Sequence, residues 1–114
     1  MNNPESRWLD ICPLTSIVPN ASRCALIGDE QVAIFRVIKD GREELFAIDN
    51  HDPFSKANVL SRGIIGNISE DIVVASPIYK QHFCLKTGQC LEENDTRLKT
   101  WQVRVEQDTV QLAV

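Results

Sequence analysis

Alternation with a period of two runs through most of this chain and limits what it can fold into. Trp101, Val103 and Val105 alternate with Gln102, Arg104 and Glu106, Gln107-Asp108 makes a turn, and Val110, Leu112 and Val114 alternate with polar or small residues. Successive side chains of a strand point to opposite faces, so this pattern is a hairpin with one face laid on a core. Val32 to Ile38 is β-branched and nearly all apolar, Lys39-Asp40-Gly41-Arg42 is turn chemistry, and Glu43 to Ile48 resumes the strand pattern. That predicts a second hairpin. Trp8 to Ile11, Ile72 to Ala75, His82 to Leu85 and Gln89 to Leu91 read as further short strands. No segment carries three turns of helical apolar spacing; a short turn around Ser55 to Leu60 is the nearest candidate, and Pro13 to Asn20 reads as a connecting loop. Many short strands between turn signals predict an all-β sandwich or barrel.

With 114 residues the chain is long enough for one core and one domain, and too short for a catalytic domain beside a separate cofactor domain. A formal charge of −4 argues against nucleic acid as the partner. Residues 1–20 lack the continuous apolar core of a secretory signal, and no run is long enough to span a membrane. The four cysteines, Cys12, Cys24, Cys84 and Cys90, form no Cys-x-x-Cys pair, and His51 and His82 are far apart. Metal sites legible in sequence show closely spaced ligands, so these read as packed free thiols in a reducing cytoplasm. Cys84 and Cys90 flank the turn Lys86-Thr87-Gly88 and could be bridged only if they share a face. No Gly-x-Gly-x-x-Gly fingerprint for a dinucleotide is present.

Two proline loops carry the most specific signal. Asp52-Pro53-Phe54 follows Leu45-Phe46-Ala47-Ile48-Asp49-Asn50, and Ser76-Pro77-Ile78-Tyr79 precedes Phe83-Cys84-Leu85-Lys86-Thr87-Gly88. In this setting the chain resembles a Rieske-type domain, with the Cys-Pro-His and Cys-Pro-x-His ligand loops replaced. With Val59-Leu60-Ser61-Arg62-Gly63 and Ala75-Ser76-Pro77 following in order, it is most similar to the cluster-less family of small subunits of assimilatory NAD(P)H-dependent nitrite reductases. The resemblance extends from the first strand to the last. It implies a single Rieske-like domain over residues 1–114: an antiparallel β-sandwich or barrel whose base comes from roughly 1–49 and 86–114, with a small inserted subdomain, the degenerate cluster-binding region, at roughly 50–85.

A Rieske centre holds one iron by two thiolates and the other by two imidazoles. The corresponding places here are Asp52, Phe54, Ser76 and Tyr79. A phenyl ring cannot coordinate, and a serine hydroxyl and a tyrosine phenol stay protonated near neutral pH. We therefore expect no metal-binding, cofactor-binding or catalytic residue in this chain. Ser76 lacks the Gly-x-Ser-x-Gly context of a nucleophile, and Asp52 and His51, adjacent in extended chain, should point apart.

What the resemblance implies is a non-catalytic small subunit of a cytoplasmic complex that reduces nitrite to ammonium. FAD, an iron–sulfur cluster and sirohaem would all belong to its partner, the large subunit, and this chain would act by contact. Phe54 and Tyr79 are the candidate partner interface, since aromatic rings anchor interfaces; the competing reading has both rings folded inward, filling the space of the cluster. On the first reading Phe54→Asp should weaken docking and leave the fold intact. Lys56, Arg62 and Lys80 read either as a basic rim or as scattered surface cations. Two other functions fit the same residues. A Rieske-type ferredoxin electron carrier would bind iron in a shifted register through His51 or a thiol, and a free-standing cluster-less binding module would capture no large flavoprotein.

Overall fold

The computed structural model describes residues 7–114, and its regular structure is almost entirely antiparallel strands. Strand β1 (Trp8–Pro13) leads through a 3-10 turn at Leu14–Ser16 to β2 (Ala21–Ile27), β3 (Glu30–Lys39) and β4 (Arg42–Asp49). The inserted region holds β5 (His51–Asp52), β6 (Ala57–Asn58), a 3-10 turn at Leu60–Arg62, β7 (Ile64–Ile68), β8 (Asp71–Ala75) and β9 (His82–Cys84). The chain then returns through β10 (Thr100–Trp101), β11 (Val103–Glu106) and β12 (Thr109–Ala113). Both hairpins read from the sequence are present. Lys39 pairs with Arg42 across Asp40 and Gly41, both at positive φ, and Glu106 pairs with Thr109 across Gln107 and Asp108, also both at positive φ. Two central residues in that conformation match the twist of the flanking strands.

The base is two sheets, one in the order β1-β12-β11 and the other in the order β10-β4-β3-β2. The distal part adds a two-stranded sheet, β5-β6, and a three-stranded sheet, β7-β8-β9. The segment Gln89 to Leu91, expected as a strand, makes only isolated bridges, Cys90 to Phe83 and Gln89 to Arg97. Ser55 to Leu60 forms no helix: it contributes β6, and the 3-10 turn begins only at its end.

Strand β3 explains why Val32 to Phe35 is unbrokenly apolar. Val32 and Ile34 join Ile17, Ala47, Val110 and Leu112 in the core between the base sheets. Ala33, Phe35 and Val37 point the other way and pack with Ile48, Leu60, Val74, Phe83 and Leu85. A strand buried on both faces needs hydrophobic residues at every position rather than every second one. Leu60, Val74 and Phe83 thus bring the segment between β4 and β10 onto the reverse face of β3, and its loops take their positions from that core. Among the described residues no helix is long and apolar enough to cross a membrane.

Candidate functional site

The two proline loops meet through their first residues. Asp52 and Ser76 are both buried, at 0% and 1% exposure. The Ser76 hydroxyl donates to Asp52 Oδ2 at 2.5 Å, and the same oxygen accepts the Ser55 hydroxyl at 2.9 Å. Asp52 Oδ1 accepts the Phe54 N–H at 2.9 Å. Burial alone would push the Asp52 carboxyl up, but the donors from Ser76, Phe54 and Ser55 outweigh it and hold it below its ordinary value. The group is a carboxylate that ties one loop to the other.

The loops are also built alike. In each, proline follows the first residue, and that residue's side-chain oxygen accepts the N–H two places on: Asp52 from Phe54, and Ser76 from Ile78 at 3.4 Å. In each, the main-chain carbonyl of the first residue accepts the N–H four places on, from Lys56 at 2.7 Å and from Lys80 at 3.1 Å. Lys56 has φ 61° and Lys80 φ 68°. Both lysines therefore occupy the left-handed region, which costs a residue with a Cβ about 1 kcal/mol and which glycine adopts freely.

The aromatic pair divides. Phe54 turns inward, half-buried against the core, with its ring centroid 6.2 Å from that of Phe83. Tyr79 turns out, 59% exposed, beside Ile78 at 46%. With Phe54 held this way, Phe54→Asp would place a charge against Phe83, so we expect it to lower Tm rather than leave the fold intact. Thermal unfolding of the variant checks this, and an unchanged Tm would put the ring in solvent.

The first loop has a support that its sequence did not single out. Asn50, 2% exposed, donates its amide to Gln31 Oε1 at 3.1 Å and to the Asn58 carbonyl at 3.2 Å, and accepts the Ser61 N–H at 2.6 Å. Its main-chain N–H and C=O bond Gln31 and Leu60. The Ser22 hydroxyl adds a bond to the Ser61 carbonyl. The signal, an Asn directly after a strand and before an Asx-Pro turn, is too common to be read without the fold.

The other residues considered for chemistry are not gathered. His51 Nδ1 lies 3.0 Å from Asn58 Oδ1 and takes no part with the carboxylate of Asp52. His82 Nδ1 contacts Glu92 Oε2 at 2.6 Å, and the main-chain N–H of His82 donates to Glu92 Oε1 at 2.8 Å. Cys90 lies opposite Phe83, whereas Cys84 donates its N–H to Gln89, so the two thiols take neighbouring, opposite-facing positions and are free, as are Cys12 and Cys24. Desolvation pushes the thiols of Cys12, Cys24 and Cys90 up, away from the thiolate needed for metal binding or nucleophilic attack. Among the described residues no three His, Cys, Asp or Glu side chains converge as a metal site.

An iron–sulfur cluster does not fit these loops. Asp52 and Ser76, the positions that the resemblance assigns to its thiolates, touch each other through a hydrogen bond, both Asp52 oxygens already hold donors, and Phe54 is packed against the core. What the geometry defines is an all-β, Rieske-like domain whose two proline loops are joined by a hydrogen-bond clasp beside an inward aromatic ring. Residues 7–113 match the family described as Rieske-like [2Fe-2S] domain. The chain is 46% identical over 107 residues to the nitrite reductase (NADH) small subunit of Escherichia coli (strain K12), covering 94% of this chain and 97% of that protein. The NMR structure of the E. coli protein NirD superposes with a TM-score of 0.87 at 44% identity, over 96% of this chain and 98% of that one. This chain accordingly belongs to the Rieske-like family and, within it, to the small subunits of NADH nitrite reductase. It is also 36% identical over 107 residues to part of the nitrite reductase [NAD(P)H] large subunit of Klebsiella oxytoca, where the match spans 94% of this chain and 11% of that protein.

Proposed function

We propose that this chain is the non-catalytic small subunit of an NAD(P)H-dependent nitrite reductase and works by contact with the large subunit. The Asp52–Ser76 clasp carries the reading: it closes the two loops without metal, so the fold keeps its shape while supplying no redox centre of its own. The large-subunit relative with a segment like this chain supports the choice of partner, because in that protein such a domain is part of the large polypeptide itself. FAD, an iron–sulfur cluster and sirohaem belong to the large subunit in this reading, and the chemistry from nitrite to ammonium takes place there. Four free thiols fit a reducing cytoplasm.

The inserted region, residues 50–85, is the docking part of the domain, and Tyr79 with Ile78 is its outward anchor. Phe54 serves it from inside, by holding the first loop on Phe83. A tagged copy isolated from nitrite-grown cells should bring down one large protein with flavin and sirohaem absorption. A lone colourless chain would instead favour the free-standing binding module, and iron–sulfur absorption from the chain alone would favour the ferredoxin.

A further inference from the structure

The tip of the inserted region differs in charge from the rest of the chain. The formal charge of the whole is −4, yet residues 53–69 and 72–85 contain no Asp or Glu while they hold Lys56, Arg62 and Lys80; Glu70 and Asp71 lie at the turn of the β7-β8 hairpin, the end away from Ile64 and Ala75. Lys56, Arg62 and Lys80 are exposed. Exposed apolar side chains lie next to them in the chain: Arg62 is two residues before Ile64, at 73% exposure, and Lys80 directly follows Ile78 and Tyr79. Ile64 pairs with Ala75, the residue before Ser76, so Arg62 and Ile64 lie beside the second loop. Asp52 is buried and fully engaged, and Glu92, beside the second loop, is paired with His82, which lies opposite Ala75.

The two loop lysines add an independent observation. They occupy the same place in two turns of the same design, each in a backbone conformation that glycine would relieve. Asn20, Asp40, Ser69, Gln107 and Asp108 share this conformation in other turns, but among the described residues only these two are cations at matching places of twin loops, which points to a use for the side chain. Resting on the subunit reading above, we propose that Lys56 and Lys80, with Arg62, form a cationic ring around the Ile64, Ile78 and Tyr79 patch that docks on a carboxylate-rimmed apolar face of the large subunit. Charge of this kind steers encounter and fixes orientation, and its effect falls as salt rises.

The test uses full-length chain and purified large subunit, with binding measured at low salt and at high salt. The double variant Lys56→Gly/Lys80→Gly should fold with a Tm no lower than that of the parent and bind about tenfold more weakly at low salt. Lys56→Asn/Lys80→Asn, which keeps a side chain suited to the left-handed region without the charge, should behave the same way. In both cases the gap from the parent should shrink at high salt. Parent-like binding by both variants would overturn the cationic ring and leave the subunit reading in place. Failure of the parent itself to bind would overturn the subunit reading, and the ring's partner with it.

Discussion

Asp52→Ala should lower Tm by about 10 °C, the larger of the effects expected from changing either loop. The substitution leaves the buried Ser76 hydroxyl and the half-buried Ser55 hydroxyl and Phe54 N–H without their acceptor. Donors orphaned in this way cost on the order of 3 kcal/mol together. For a domain of this length each kcal/mol is worth roughly 4 °C. Ser76→Ala removes one donor and leaves the carboxylate two others, so it should cost about half as much. Equal or reversed costs would mean that the carboxylate is not the centre of the clasp. The pH dependence follows from the same bonds. Since the folded-state pKa of Asp52 lies below its ordinary value, its contribution is full above the usual carboxylate range and is lost as pH falls through the lowered value. The difference in stability between parent and Asp52→Ala should therefore narrow below about pH 4. Denaturant unfolding at a series of pH values reads this out, and a difference that widens on acidification would contradict it.

Gly63→Ala should cost about 3 kcal/mol, at the upper end of what overpacking usually does. A Cβ at this position would stand 2.4 Å from the Ala75 carbonyl oxygen and 2.6 Å from Val74 Cγ2. The first obstacle is main chain and the second is a fully buried side chain, so neither can step aside cheaply. Gly63 joins the 3-10 turn at Leu60–Arg62 to β7, and the residue it presses on immediately precedes Ser76. The strain should thus appear at the clasp as well as in Tm. Amide chemical shifts of Ala75, Ser76 and Asp52 should move in the variant, and their silence would place the relaxation elsewhere.

How far the sequence could be read depended on whether a feature was local. The hairpins at Lys39–Arg42 and Glu106–Thr109 were legible because turn chemistry and alternation lie side by side in the chain. The two-faced burial of β3 was visible only as a run of apolar residues; that it divides two cores needed the inserted region folded back on it. At Asp52, Phe54, Ser76 and Tyr79, the places that the family resemblance assigns to cluster ligands, the residue types could be read position by position. How these residues meet could not, because the Asp52–Ser76 bond joins residues 24 apart in the chain. For the same reason the inward turn of Phe54 and the outward turn of Tyr79 required the packing of Phe83. Gln89 to Leu91 has strand composition, but the chain there makes single bridges and side-chain bonds from Gln89, which local propensity does not report.

On the function proposed above, the Asp52–Ser76 clasp stands in for a metal centre in a subunit that works by contact. Native mass spectrometry of the complex isolated with a tagged copy of this chain, with the small subunit then ejected in the gas phase, reads out both parts at once. We expect a heterocomplex with the large subunit that releases this chain at the mass of its polypeptide alone. A chain released with two irons and two sulfides, or one that never enters a heterocomplex, would contradict it.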